Sequence, residues 1–211
     1  MMGSKRDDLK VGPYEKTVKY VEEGNRKEAL RHLSQFRKET KATHDRLIEY
    51  AELFLTFIAE RLGEESVKEA WEFVMNDSHK RMMTVLKGLS GEDLVRTIAN
   101  MQTLHGGDFY IEEEGDRYII YNTCCGSGGE LMKEGKLDTT NRHPMNGGTL
   151  KRPHPWAFSI KGISHYCAHC GFIGDRIKEW SGVKWKFEFG RQFDEQGQPV
   201  NEPCKWTITK S

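Results

Sequence analysis

The sequence predicts an α+β fold: an N-terminal helical half packed on an antiparallel sheet, with one further helix before a C-terminal hairpin. Three observations predict it. From Tyr14 to His105 apolar residues recur at helical spacing. After His105-Gly106-Gly107 the period drops to two, and between the alternating stretches lies one more helical segment, His169 to Trp180.

Tyr14 to Gly24 and Arg26 to Lys38 read as two short, charged helices. Leu47, Ala51, Phe54, Leu55, Ile58 and Leu62 then fall on one apolar stripe, which places Glu49, Glu52 and Glu60 outside it; Gly63 ends that helix. Glu64 and Glu65 suit the positive end of the next helix, where Val67, Trp71, Val74, Ser78, Met82 and Val85 repeat every three or four residues. Ser90 followed by Asp93 resembles a capping box with the shorter acid and opens a helix on Leu94, Ile98 and Met101.

Phe109 to Glu113, the turn Glu114-Gly115-Asp116 and Arg117 to Asn122 form a hairpin, with Tyr118-Ile119-Ile120-Tyr121 apolar enough for a central strand. The helix His169 to Trp180 turns Phe172, Ile173, Ile177 and Trp180 inward. Val183, Trp185, Phe187 and Phe189 alternate with polar residues, as do Cys204, Trp206 and Ile208, and Asp194 to Pro199 supplies the turn between them. The segment Gly135 to Gly162, rich in Gly, Pro and His, is irregular, with Trp156, Phe158 and Ile160 packing its end. Residues 1–12 are read as a flexible N-terminus, 13–105 as a helical region, and 106–211 as an α+β region forming one compact unit with the helices.

Charge and composition exclude whole classes of function. The chain carries 32 Lys and Arg against 32 Asp and Glu, evenly spread between its halves, so it lacks the basic excess that neutralises phosphates and is not expected to bind nucleic acid. The longest apolar run, Leu53 to Ala59, is broken by Thr56 and far short of a membrane span. Met1 to Asp8 has no apolar segment behind its charges, so a cytoplasmic protein with a small-molecule partner is expected.

The chemistry concentrates in the second half. All five cysteines lie between Cys124 and Cys204, and 15 of the 21 glycines come after residue 105. An odd number of cysteines without a secretion signal points to metal or thiol chemistry rather than to disulfides. Cys167-Ala168-His169-Cys170-Gly171 is a CxxC at a helix start, where one turn brings two sulfurs to the same side. Cys124-Cys125-Gly126-Ser127-Gly128-Gly129 comes after the central strand, and its glycines free the backbone to fold around sulfur.

Cys124, Cys125, Cys167 and Cys170 are therefore the expected metal ligands, for zinc first and an iron–sulfur cluster second, with a histidine from His143, His154 or His165 as a further candidate. Cys204, in phase with Trp206 and Ile208, is expected to be a core cysteine. Three ligands would leave a position for water, giving a zinc-dependent small-molecule hydrolase or lyase with His165 moving protons. Four would close the shell, giving a metal-stapled binding or sensor domain. In a third reading the CxxC is a redox dithiol, its thiolate favoured by the helix N-terminus and His169. Arg142, His143 and His154, with Lys151 and Arg152, make the central loop basic and are the expected substrate-binding residues. His32, His44 and His79 are expected on solvated helix faces.

The order of elements over about residues 90–211, ending in Cys204-Lys205-Trp206-Thr207-Ile208, resembles the 4-vinyl-reductase-like domain and the L-2-amino-thiazoline-4-carboxylic acid hydrolase-like proteins. That resemblance implies an α+β domain holding a small molecule between sheet and helices. It places Cys204 at the cysteine of the family's final strand, and Cys167 and Cys170 at the start of its penultimate helix. The adjacent Cys124-Cys125 pair departs from that pattern. Cys124-Cys125-Gly126 with Cys167-x-x-Cys170 is also similar to the latter half of the CCG domain of heterodisulfide-reductase-type proteins, which bind iron–sulfur clusters. That domain expects a cysteine upstream, and residues 1–123 contain none.

Overall fold

A computed structural model describes residues 10–138 and 142–209. The chain falls into two compact units, Met1–Arg46 and Leu47–Ser211. Most of the N-terminal stretch expected to be flexible lies outside the described residues.

The first unit contains α1 (Pro13–Glu22) and the beginning of α2 (Arg26–Leu62). Tyr20 stacks on His32 with ring centroids 5.4 Å apart, and His32 is buried rather than solvated, its Nε2 at 2.7 Å from Arg31. The two helices expected at Arg26 to Lys38 and Leu47 to Leu62 are one continuous helix of 37 residues. Nothing between Lys38 and Leu47 breaks a helix, and pairs four apart such as Gln35–Glu39 and Lys41–Asp45 support it.

The second unit is the α+β domain that the sequence predicts. Its helices are the end of α2, α3 (Glu64–Val74), α4 (Lys80–Met83), α5 (Gly91–Leu104), a short α6 (Gly128–Lys133) and α7 (Ala168–Ser181). Strands β1 (Asp108–Glu114), β2 (Arg117–Cys124), β3 (Trp185–Glu188) and β4 (Cys204–Thr209) form an antiparallel sheet in the order β1-β2-β4-β3. β2 is central, as its apolar run predicts. The register sets Ile120 opposite Trp206, Asn122 opposite Cys204, and Phe187 on the other side of Trp206, so these side chains share one face of the sheet. Phe172, Ile173, Ile177 and Trp180 of α7 join the core that contains this face, together with Val67, Trp71, Leu94 and Ile98 from α3 and α5.

Two helix faces differ from the expectation. On the part of α2 after Arg46 the buried side chains are Ile48, Glu52, Leu55 and Thr56, whereas Leu47, Phe54 and Leu62 are exposed. This stretch is apolar around most of its circumference, so spacing alone does not select the inner face. After α3, a π-helical turn at Met75–His79 adds a residue to the helical winding, and the buried series becomes Val67, Trp71, Met75, Met83 and Leu86 in place of Val74, Met82 and Val85. Ser90 caps α5 in an extended conformation without a side-chain bond, so the expected capping box does not form. The segment 142–162 is irregular but packed, with Leu150, Trp156 and Ala157 buried.

Candidate functional site

Four thiols from three chain segments line one cavity. Cys125 comes from the loop after β2, Cys167 and Cys170 from the start of α7, and Cys204 from the first residue of β4. Phe158, Phe187, Phe189, Trp206 and Met132 close the walls, and the free volume is about 30 Å³. A single water needs roughly 10–15 Å³, so the space as it stands suits one ion or one or two waters.

Each of these cysteines is positioned by its surroundings. Gly128 passes so close to Cys167 that a β-carbon on it would stand 2.0 Å from Sγ; only glycine lets the thiol keep its place. Ser164 Oγ accepts the Cys167 N–H at 3.1 Å. Gln192, 1% exposed, accepts the Cys125 N–H through Oε1 at 2.9 Å and donates through Nε2 to the Asn122 carbonyl at 2.8 Å. The Gly190 N–H donates to Cys204 Sγ at 3.3 Å. Cys170 Sγ lies 3.6 Å from His169 Nε2, while His169 Nδ1 donates to the Tyr166 carbonyl at 2.6 Å.

The electrostatics result from burial. Loss of water pushes the Cys167 and Cys170 thiols well above their ordinary value, and repulsion from Cys125 and Cys204 adds to the rise. Cys204 is pushed up to about 12, again mainly by burial. Burial takes His169 the other way, down to about 3, so at neutral pH it carries no charge with which to stabilise a thiolate. A cation placed among these sulfurs would reverse the balance, because positive charge favours the deprotonated form.

The structure brings together three of the four expected ligands. Cys124 does not line the cavity; its thiol points at Glu130 Oε1, 3.4 Å away, and burial with that carboxylate pushes it up to about 12. Cys204, expected in the core, is the fourth thiol on the cavity. Alternation with Trp206 and Ile208 places it on the inner face, but only the register opposite Asn122 shows that this end of the face is where the cavity lies. Among the described residues no three Cys, His, Asp or Glu side chains already stand at the separation of ligands on one ion.

The three expected substrate-binding residues are separate and engaged elsewhere. The Arg142 guanidinium donates to the carbonyls of Glu195, Met132 and Lys133, the last two at the end of α6. His143 Nδ1 accepts the Met145 N–H at 3.0 Å on the surface. His154 packs on Trp156 and reaches Glu64 at 2.6 Å and Glu65 at 3.2 Å. Lys151 pairs with Asp138, so much of the loop's positive charge is compensated within the protein.

His165 belongs to a second cleft, lined by Thr56, Glu60, Glu64, Asp138, Asn146, Gly148, Thr149 and Lys151. Its Nδ1 lies 3.4 Å from both Glu52 Oε1 and Thr56 Oγ1. Glu52 is fully buried and accepts the Tyr166 N–H through Oε2 at 2.9 Å.

These features define an α+β domain with a partly buried four-thiol cavity. Comparison with family models, curated proteins and solved structures gave no match to the chain. Residue roles therefore rest on the geometry of the site and not on the 4-vinyl-reductase-like resemblance. No helix of the described residues is long and apolar enough to cross a membrane.

Proposed function

We propose that this chain is a metal-binding domain in which Cys125, Cys167, Cys170 and Cys204 close a four-sulfur shell around one soft cation, zinc first, and that the ion staples the domain rather than turning over a substrate. The observation that carries the reading is four thiols on one cavity of about 30 Å³. Soft sulfur donors select zinc or iron–sulfur clusters, and this volume favours a single ion. Four protein sulfurs complete a tetrahedral zinc shell and leave no position for water.

The same geometry ranks the other readings. A zinc hydrolase or lyase with His165 as proton carrier is less favoured, because His165 lines a different cleft. A redox dithiol is less favoured too, since burial raises the thiols and keeps His169 neutral, the reverse of an activated CxxC. A reducing, cytoplasmic compartment would keep the thiols available to the ion.

Elemental analysis of the purified protein tests the proposal. We expect about one zinc per chain, lost in Cys125→Ser, Cys167→Ser, Cys170→Ser and Cys204→Ser and retained in Cys124→Ser. Folded wild-type protein free of metal, with all five thiols titratable, would overturn it. Iron with acid-labile sulfide would replace the ion by a cluster, and a reversible Cys167–Cys170 disulfide in metal-free protein would favour the redox reading.

A further inference from the structure

We propose that the cleft beside His165 is a binding site for a small primary ammonium compound, with the imidazole accepting one of its N–H groups and Glu60 matching its charge. No cysteine lines this cleft, so the inference stands apart from the metal centre.

The site is built along one face of α2. Glu52, Thr56 and Glu60 succeed each other four residues apart, which stacks them on one side of the helix. Glu52 is fully buried, Thr56 nearly so, and Glu60 is exposed at the rim. The free volume of the cleft is about 200 Å³. A cavity of roughly 150 Å³ accommodates benzene, so a small organic molecule fits.

The hydrogen-bond network assigns the imidazole its role. Thr56 Oγ1 gives its only proton to Glu52 Oε1 at 3.3 Å and accepts the Gly148 N–H at 2.6 Å. Toward His165 Nδ1 it can therefore only accept, as can the Glu52 carboxylate, so Nδ1 carries a hydrogen, and the tautomer of the neutral ring that fits this network has Nε2 as its acceptor. Gly148 lies over the ring, where a β-carbon would stand 2.6 Å from Cε1. His165 is only 3% exposed, and Nε2 has no hydrogen-bond partner among the described residues. It is also not among the sealed, unpaired polar atoms, which leaves the cleft as its outlet. Glu52 is thus a positioning residue, holding the acceptor in one orientation.

The charge of the ligand is set by which lining groups are already used. Lys151 is committed to Asp138, and Asp138 also to Thr149 Oγ1. Glu64 is committed to His154 and to the Lys151 N–H. The lining carboxylate without a partner among the described residues is that of Glu60. An acceptor nitrogen with an unpaired carboxylate suits a donor-rich cation and repels an anion.

Three probes of similar size and different charge test this: n-propylammonium, n-propanol and propionate, titrated into the wild-type protein while the His165 imidazole signals are tracked by NMR. His165→Gln identifies those signals. We expect n-propylammonium to shift them and saturate with a dissociation constant of about a millimolar, the range that four non-hydrogen atoms can reach. Glu60→Gln, an exposed substitution that leaves folding intact, should weaken binding roughly tenfold. Saturation by propionate, equal response to all three probes, no response, or unchanged affinity in Glu60→Gln would each overturn the proposal.

Discussion

Gly128 and the sulfur of Cys167 occupy adjoining space, and a β-carbon on Gly128 would stand 2.0 Å from Sγ. The relationship joins the glycine-rich turn after β2 to the start of α7. Gly128→Ala forces the thiol to rotate out of its seat, because the sulfur is the group free to move. We expect zinc affinity, measured by competition with a chelator, to fall at least about tenfold, and the metal-free protein to lose roughly 1–3 kcal/mol from the added bulk. Unchanged zinc affinity in a folded Gly128→Ala variant would show that Cys167 is not a ligand.

Glu52 holds the other end of the same loop. Its carboxylate accepts the Tyr166 N–H and the Thr56 hydroxyl and faces His165 Nδ1, two residues before Cys167. Glu52→Ala strips the partner from a buried N–H and opens a cavity, so we expect a loss of about 3 kcal/mol in urea unfolding. Glu52→Gln restores an acceptor for Tyr166 but sets an NH₂ group against the donor at His165, for a smaller loss of about 1–3 kcal/mol. Stability of Glu52→Ala within about 0.5 kcal/mol of wild type would remove the carboxylate from this role.

Acid sensitivity should track Glu64. Burial alone would raise its carboxyl, but the Lys151 N–H, His154 and Arg152 together outweigh that and hold it below its ordinary value of 4.5. The carboxyl is thus more acidic folded than unfolded. Its contribution to stability is complete above 4.5 and is lost as pH falls from there through the lower folded value. Urea midpoints measured from about pH 6 to about pH 3 should fall less steeply in Glu64→Gln than in wild type. Parallel curves for the two proteins would show that this carboxylate is not a source of the acid sensitivity.

Much of the fold was legible in the sequence because local periodicity reports it. The hairpin β1–β2, the central position of β2, the inward face of α7 and the β3–β4 pairing all rest on alternation or helical spacing. At the candidate site, the CxxC at a helix start and the glycine-rich turn after β2 were legible for the same reason. Where two faces of an element were similarly apolar, spacing could not choose. On α2 it favoured Leu47, Phe54 and Leu62, which are exposed, and set aside Glu52, which is fully buried. A carboxylate goes inside only when partners wait for it, and those partners come from residues 165 and 166, more than a hundred positions away.

The sequence by itself determined that the chain folds as α+β, lacks a basic excess, and carries all its cysteines in its second half. Only the tertiary structure decided which of those cysteines meet. Strand register sets Cys204 opposite Asn122 at the edge of the cavity, the Glu130 carboxylate draws Cys124 away, and the packing of α7 keeps His169 neutral. Periodicity shows which side of an element is apolar, whereas a site depends on which ends of different elements are brought together. That is fixed by register and packing across the whole domain.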